Sequence, residues 1–343
     1  MAASTGTWLF DTRGRISGVI KQMKTLFNIT TSEDDLDRFE SSKDLENMLV
    51  PHFEGVELMY YREDKKEIIP KDKVVGYHMH FFPFWMDFWK GNEERLFKEF
   101  DTKENREQYY GGSTKDAVVR RYQEDLKYAH LYGAEYVVFH VSEASIEESF
   151  TWNYHYSDEE VVDATAELLN KIFADEDGSI ALLLENLWQP GLKFTRPEIT
   201  KRLLDQIDYS NKGIMLDTGH LLHTNTSLKT QEEGIAYIHQ MLDAHGELCT
   251  NIRGVHLNQS LTGEYCEETR KNPPKMEPTY YGRYNQMFFH AFAVDKHEPF
   301  TGVGIKELIE RIAPEYLTFE FITADNVQHR EYLQQQLKAL GRT

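Results

Sequence analysis

The sequence predicts an α/β fold of the (β/α)8 TIM-barrel class. Eight short apolar runs recur along the 343 residues, each followed by a segment with helical spacing. Near-continuous apolar strands alternating with helices mark a parallel sheet covered on both faces. No glycine-rich phosphate loop follows any run, as an open doubly wound sheet would normally show. The length suits one barrel, which typically takes roughly 250 residues before insertions. A single domain over residues 1–343 is expected, with its barrel core over about residues 24–340.

In order, the runs are TLFNIT (25–30), GVELMY (55–60), VVGYHMH (74–80), EYVVFHV (135–141), IALLLENL (180–187), GIMLD (213–217), IRGVHLN (252–258) and YLTFEFI (316–322). Between them, Ser157 and Glu160 form a capping box at the start of SDEEVVDATAELLNKIF. TRPEITKRLLDQI begins at Thr195, with Pro197 in the first turn, where a missing N–H does no harm. GIKELIERI supplies the last helix before the eighth run. The surplus residues form two long loops, Phe81 to about Gly112 after the third strand and Gln259 to about Gly304 after the seventh. Both leave the C-terminal ends of strands, where barrel enzymes keep their active sites. One contains FFPFWMDFW and the other PTYYGRYNQMFFHAF. Such aromatic content argues against disorder and for packing against the barrel or contact with substrate.

Hydrophobic residues make up 40% of the chain, ample for a sizeable core. Acids number 57 against 38 Lys and Arg, a formal net charge of -19. That field disfavours nucleic acid and anionic membranes as partners. The two cysteines, Cys249 and Cys266, imply no disulfide framework. The N-terminal residues lack the basic and apolar regions of a secretory signal. No apolar run approaches the roughly 20 residues that span a bilayer. A cytoplasmic protein is expected.

Several runs finish on a potential metal ligand: His78 and His80, His140, Glu185, Asp217, His256 and Glu320. Alternate residues of a strand face one side, so LLLEN and LTFEF can each send a carboxylate inward. A lone strand-end histidine or glutamate has ordinary structural explanations. Two glutamates, an aspartate and a histidine at one barrel mouth would repel one another without a cation. This donor set, free of cysteine, suits Mn²⁺, Mg²⁺, Co²⁺ or Zn²⁺.

These residues also carry a resemblance. GVEL, LLEN around Glu185, MLDTGH from Met215 to His220, GVHLN around His256 and FEF around Glu320 resemble the xylose isomerase-like TIM-barrel superfamily, over about residues 53–322. That superfamily includes sugar isomerases and epimerases and endonuclease IV-type enzymes. The resemblance implies that Glu185, Asp217, His256 and Glu320 form the shared metal shell. It implies that His220 contacts substrate or a further metal. Asp295 and His297 resemble the superfamily's Asp-x-His pair, and His78 (with His80 as competitor) and His140 complete a trinuclear ligand set. His223 matches nothing and is expected at the surface or behind the ligands.

Two activities follow. The first is a metal-dependent isomerase or epimerase acting on a sugar or sugar-phosphate-like substrate. Glu185 and Glu320 would exchange a proton on opposite faces of carbon, His220 and His140 would orient hydroxyls, and Trp188 would offer an apolar wall. The alternative is an endonuclease IV-like trinuclear phosphoester hydrolase that also uses His78, His140, His220, Asp295 and His297 as ligands. The isomerase needs one ion and the hydrolase about three. A barrel that merely binds a ligand would have no need of the paired carboxylates. A small carbohydrate-type substrate is the expected partner.

Overall fold

A computed structural model describes residues 9–10, 16–17, 23–61 and 66–342. Eight parallel strands close into a barrel. They are β1 (Lys24–Thr30), β2 (Gly55–Met59), β3 (Val74–His78), β4 (Tyr136–His140), β5 (Ala181–Glu185), β6 (Lys212–Asp217), β7 (Ile252–Leu257) and β8 (Tyr316–Phe319). Each lies within or almost within its expected run, and β1 pairs with β8 to close the ring. Strands β3, β7 and β8 stop one to three residues before their runs do. His80, Asn258 and Glu320 therefore sit just past the strand ends.

Alternation sorts the side chains. Leu26, Val75, Tyr136, Val138, Ala181, Leu183, Met215 and Tyr316 form one buried cluster. Their strand neighbours, including Phe27, Val137, Leu182, Leu184 and Leu216, join the larger cluster with the helices. This is the inside and outside of a barrel whose strands are buried on both faces. Parallel register then sets the rim: β4 and β5 pair His140 with Glu185, and β6 and β7 pair Asp217 with His256.

Helix starts follow side-chain chemistry. Ser157 and Glu160 make the expected reciprocal cap on helix Asp158–Ile172. The next helix differs from expectation: it spans Pro197–Gln206, with Arg196 as N-cap and no side-chain cap bond. Thr195 stands one residue outside, because proline takes the first helical position and makes Arg196, whose side chain has no acceptor, the N-cap.

The two insertions are helical, not irregular loops. The first folds into Met86–Lys90, Glu93–Phe100 and Lys103–Tyr110, and the second into Gly263–Lys271 and Tyr280–Val294. Asn92, Thr102 and Thr279 accept the capping N–H at three of these starts. Within FFPFWMDFW every aromatic is buried except Phe81, which is 36% exposed. The insertions also hold each other across the rim. Tyr280 N donates to Asp101 Oδ2 at 2.6 Å, and Arg283 donates to Glu99 O at 2.8 Å. Glu143, buried beside β4, accepts the N–H groups of Trp85 and Met86 at 2.7 and 3.1 Å and so ties the first insertion to the barrel. Among the described residues no helix is long and apolar enough to cross a membrane.

Candidate metal centre

At the C-terminal rim the structure gathers three groups of convergent donors: His78, His140 and Glu185; Glu185, Asp217, His256 and Glu320; and His220, Asp295 and His297. Nine of the ten candidates named as catalytic or ligating are there, His80 being the exception, and Glu185 belongs to two groups.

The first group comes from three adjacent strand ends. His78 Nε2 and His140 Nε2 lie 3.3 and 3.1 Å from Glu185 Oε2 and 3.1 Å from each other. Ligand atoms around one tetrahedral ion with bonds near 2.0–2.1 Å stand about 3.3 Å apart. His78 therefore prevails over His80. Beyond the end of β3, the His80 N–H donates to Asp125 Oδ2 at 2.8 Å and its ring packs edge-on against Phe82, outside the cluster.

The second group centres on His256, whose Nδ1 lies 3.2 Å from Glu320 Oε2, 3.4 Å from Glu185 Oε1 and 3.9 Å from Asp217 Oδ2. Asp217 is held from several sides. Its Oδ1 caps helix Thr218–His223 by accepting the His220 N–H at 2.6 Å. Asn258 donates to Oδ2 at 2.8 Å, and Asn186 clamps the Asp217 backbone through both its amide atoms. Gly219 is required here, because a Cβ on it would lie 1.9 Å from Asn258 Oδ1.

The third group depends on the second insertion. Helix Tyr280–Val294 ends at Asp295, and Gln259 and Glu298 bridge as an antiparallel pair. Ser260 Oγ accepts the N–H groups of Lys296 and His297 while donating to Asp295 Oδ1. His297 adopts φ +47°, a left-handed conformation costly for a residue with a Cβ. Its Nε2 and that of His220 converge on Asp295 Oδ2 at 2.7 and 2.9 Å.

The outward nitrogens of four histidines face oxygen acceptors. His78 Nδ1 faces Met79 O at 2.8 Å, His220 Nδ1 faces Asn186 O at 3.0 Å, His297 Nδ1 faces Glu320 O at 3.2 Å, and His256 Nε2 faces Glu57 Oε2 at 3.1 Å. An N–H donated outward leaves the inner nitrogen free to offer its lone pair, the usual arrangement behind metal-ligating histidine. Both Glu185 oxygens and His256 Nδ1 are buried without a hydrogen bond of acceptable geometry among the described residues. A coordinated cation would satisfy all three.

The electrostatics agree. Burial alone would raise the Glu185 carboxyl, but His140 and His256 hold it well below the carboxylate range. Asp217 is pushed up to about 7, by burial first, with Glu320 and Glu185 adding to it against His220. Burial opposes protonation of His256, His220 and His297, yet the surrounding carboxylates raise all three, His297 to about 9. Metal ligands must be deprotonated, so cations binding here would compete with protons for these groups.

His223 is a correction in part. It is 2% exposed, not at the surface, and stands behind the ligands with Nε2 3.3 Å from Asp295 Oδ1. The half-buried Trp188 ring lies beside His220 and His223, at 5.3 and 4.8 Å between centroids. Phe81 stacks on His140 at 4.6 Å. Glu57, Asn186, Asn258 and Ser260 were not assigned roles from sequence. Two of them, Asn186 and Asn258, directly follow ligand positions or lie two residues beyond them, and that adjacency was the available signal.

The chain aligns with several solved structures. A D-tagatose 3-epimerase-like protein aligns at 18% identity over 93% of this chain and 98% of its own, with a TM-score of 0.47. The 3-keto-D-glucoside 4-epimerase of E. coli aligns at 12% identity over 92% and 100%, with a TM-score of 0.48. A Rhodospirillum rubrum protein assigned as a xylose isomerase aligns at 10% identity over 93% and 98%, with a TM-score of 0.51. No curated protein sequence matches the chain. The family model for a xylose isomerase-like TIM barrel matches residues 111–340, which includes β4 to β8 and eight of the nine convergent donors. The chain belongs to the xylose isomerase-like TIM-barrel family.

Proposed function

We propose that this chain is a multi-metal hydrolase acting on a phosphoester. The observation that carries the reading is the completeness of the two flanking groups, His78–His140–Glu185 and His220–Asp295–His297, beside the central four. The left-handed His297, pinned by Ser260 beside Asp295, supports a third ligand group held in place. Divalent ions at these three positions would supply positive charge to the phosphoryl oxygens and acidify a water for attack.

The chain's own groups do the rest. Glu185 links the first and central groups and fixes their separation. Asp295 sets the third group through Oδ2, while Ser260 and His223 hold its other oxygen. Phe81 and Trp188 form apolar walls at either side of the mouth, where they orient the substrate's organic portion and exclude bulk water. The acidic net charge favours a small phosphoester over DNA.

A second reading, the isomerase or epimerase of a sugar-type substrate, is supported by one observation. Glu185 and Glu320 approach His256 Nδ1 together, at 3.4 and 3.2 Å, and could serve as a proton-exchanging pair on a single ion. Metal analysis separates the two. Protein purified without chelator and dialysed against zinc or manganese is expected to hold about three equivalents and to hydrolyse p-nitrophenyl phosphate or its bis-ester. His140→Ala and His297→Ala should each lower the metal count and abolish that turnover. One equivalent, with turnover of a ketose panel and none of the phosphoesters, would give the isomerase reading precedence. Protein that retains no divalent ion would sink both.

A further inference from the structure

The barrel interior holds an acid that neither reading uses. Glu57 lies in the middle of β2, within the apolar run GVELM, and is 1% exposed. A carboxylate at that depth costs several kcal/mol unless it is paired. Three side chains from three other strands meet it: Tyr136 Oη of β4 donates to Oε2 at 2.6 Å, Thr318 Oγ1 of β8 donates to Oε2 at 3.3 Å, and His256 Nε2 of β7 hydrogen-bonds Oε2 at 3.1 Å while lying 2.9 Å from Oε1. The neighbouring strand makes room for this arrangement. Gly76 of β3 has no Cβ, and one placed there would stand 2.2 Å from Tyr136 Cζ and 2.3 Å from its oxygen. A glycine, a tyrosine, a threonine and a glutamate thus combine around one nitrogen of one histidine.

We infer that Glu57 is a positioning residue that holds His256 with Nε2 as hydrogen-bond donor and so turns Nδ1 toward Glu185, Asp217 and Glu320. Either of two departures would disable His256 as a ligand. The other neutral tautomer carries its proton on Nδ1, and a ring turned half-way about Cβ–Cγ presents carbon where Nδ1 now stands. Glu57 opposes both, because only a ring with an Nε2–H aimed into the barrel pairs the buried carboxylate. Tyr136, Thr318 and the imidazole all meet Oε2, and the His256 ring also lies 2.9 Å from Oε1, so the carboxylate presents both oxygens to one Nε2–H. A carboxylate behind a ligating histidine also raises the basicity of the ligating nitrogen. The consequence for metal affinity rests on the multi-metal reading, whereas the orientation of His256 does not.

The test uses zinc alone as the metal probe, titrated in competition with a chromophoric chelator. A ¹⁵N-resolved proton spectrum of the histidine N–H groups is recorded alongside. Glu57→Leu is expected to weaken one zinc equivalent about 10- to 100-fold, the usual cost of losing such a partner. The remaining equivalents should stay near their wild-type affinity. Glu57→Gln, which keeps an acceptor, should cost within about tenfold, and Tyr136→Phe should loosen Glu57 without touching His256. In wild type the His256 Nε2–H should exchange slowly with solvent, and in all three variants faster. Wild-type zinc affinity together with unchanged exchange in a folded Glu57→Leu protein would overturn the inference. If that variant fails to fold, Glu57→Gln and Tyr136→Phe decide on the same readouts. If wild type takes up no zinc, the multi-metal reading falls and the exchange rates alone decide the orientation.

Discussion

Gly76→Ala is the smallest change that should disturb the centre from a distance. The added methyl would sit 2.2 Å from Tyr136 Cζ, where ordinary contact begins near 3.4 Å. The tyrosine ring must retreat by more than 1 Å, yet it is fully buried and packed on Tyr316 at 4.4 Å between centroids. Overpacking of this kind costs about 1–3 kcal/mol. The retreat also stretches the bond to Glu57, and a hydrogen bond to a charged group contributes about 1.5–3 kcal/mol. The sum is about 2.5–6 kcal/mol. Unfolding entropy near 2.1 cal/mol/K per residue, applied to 343 residues, converts this to a fall of about 3–8 °C in Tm. The assay is calorimetry of metal-free protein, which removes ligand linkage. A cycle with Tyr136→Leu isolates the clash, since in that background the methyl has space and should cost little. A drop under about 1 °C, or an equal drop in both backgrounds, would refute the reasoning.

Four further outcomes are expected. Removing divalent metal with EDTA should lower Tm, and adding zinc at a hundredfold over its Kd should restore about 2.7 kcal/mol, or roughly 4 °C; identical melts with and without chelator would contradict the metal reading. Glu185→Gln and Glu320→Gln should each reduce kcat by at least about 10²-fold while changing Tm far less, and full activity in both would remove their assigned roles. Burial pushes Asp125 up to about 6 against the pull of Arg121, so its contribution to stability is complete below about pH 4 and lost as pH rises through 6. Relative to Asp125→Asn, wild type should lose on the order of 2–3 kcal/mol across that window, two units at about 1.4 kcal/mol each, in urea titrations at stepped pH. Glu143→Ala leaves the buried N–H groups of Trp85 and Met86 unpaired, at about 1–3 kcal/mol each, and limited proteolysis should then cut first within residues 86–110.

The barrel and its rim were legible because both obey short-range rules. A strand's period of two and the recurrence of one ligand per repeat place Glu185, Asp217, His256 and Glu320 at a common end without any knowledge of tertiary contacts. His78 and His80 could not be separated that way, since both have the same parity; the choice depends on β3 ending at His78 and Asp125 capturing the next turn. The sequence leaves His223 between the surface and a place behind the ligands, and its spacing of three from His220 on one helical face decides for the second. Helix Thr218–His223 puts both rings toward Asp295. Glu57 was visible in GVEL, but its partners Tyr136, His256 and Thr318 lie 79, 199 and 261 residues away. Nothing local announces pairings at that separation. The insertions lack the even spacing of the barrel repeats, and their helices are marked only by the short caps Asn92, Thr102 and Thr279.

Glu185 contributes one oxygen to each of two groups, Oε2 toward His78 and His140 and Oε1 toward His256. Two cations held there would be thermodynamically linked through a single side chain. Whatever factor the first imposes on the affinity of the second, the second imposes equally on the first. Filling one position freezes the carboxylate in the orientation the other requires and also adds charge beside it, so stepwise constants measure a balance of preorganisation and repulsion. On the multi-metal reading, loading curves would be fitted as a coupled pair with one outlying position, His220–Asp295–His297, that shares no ligand with either.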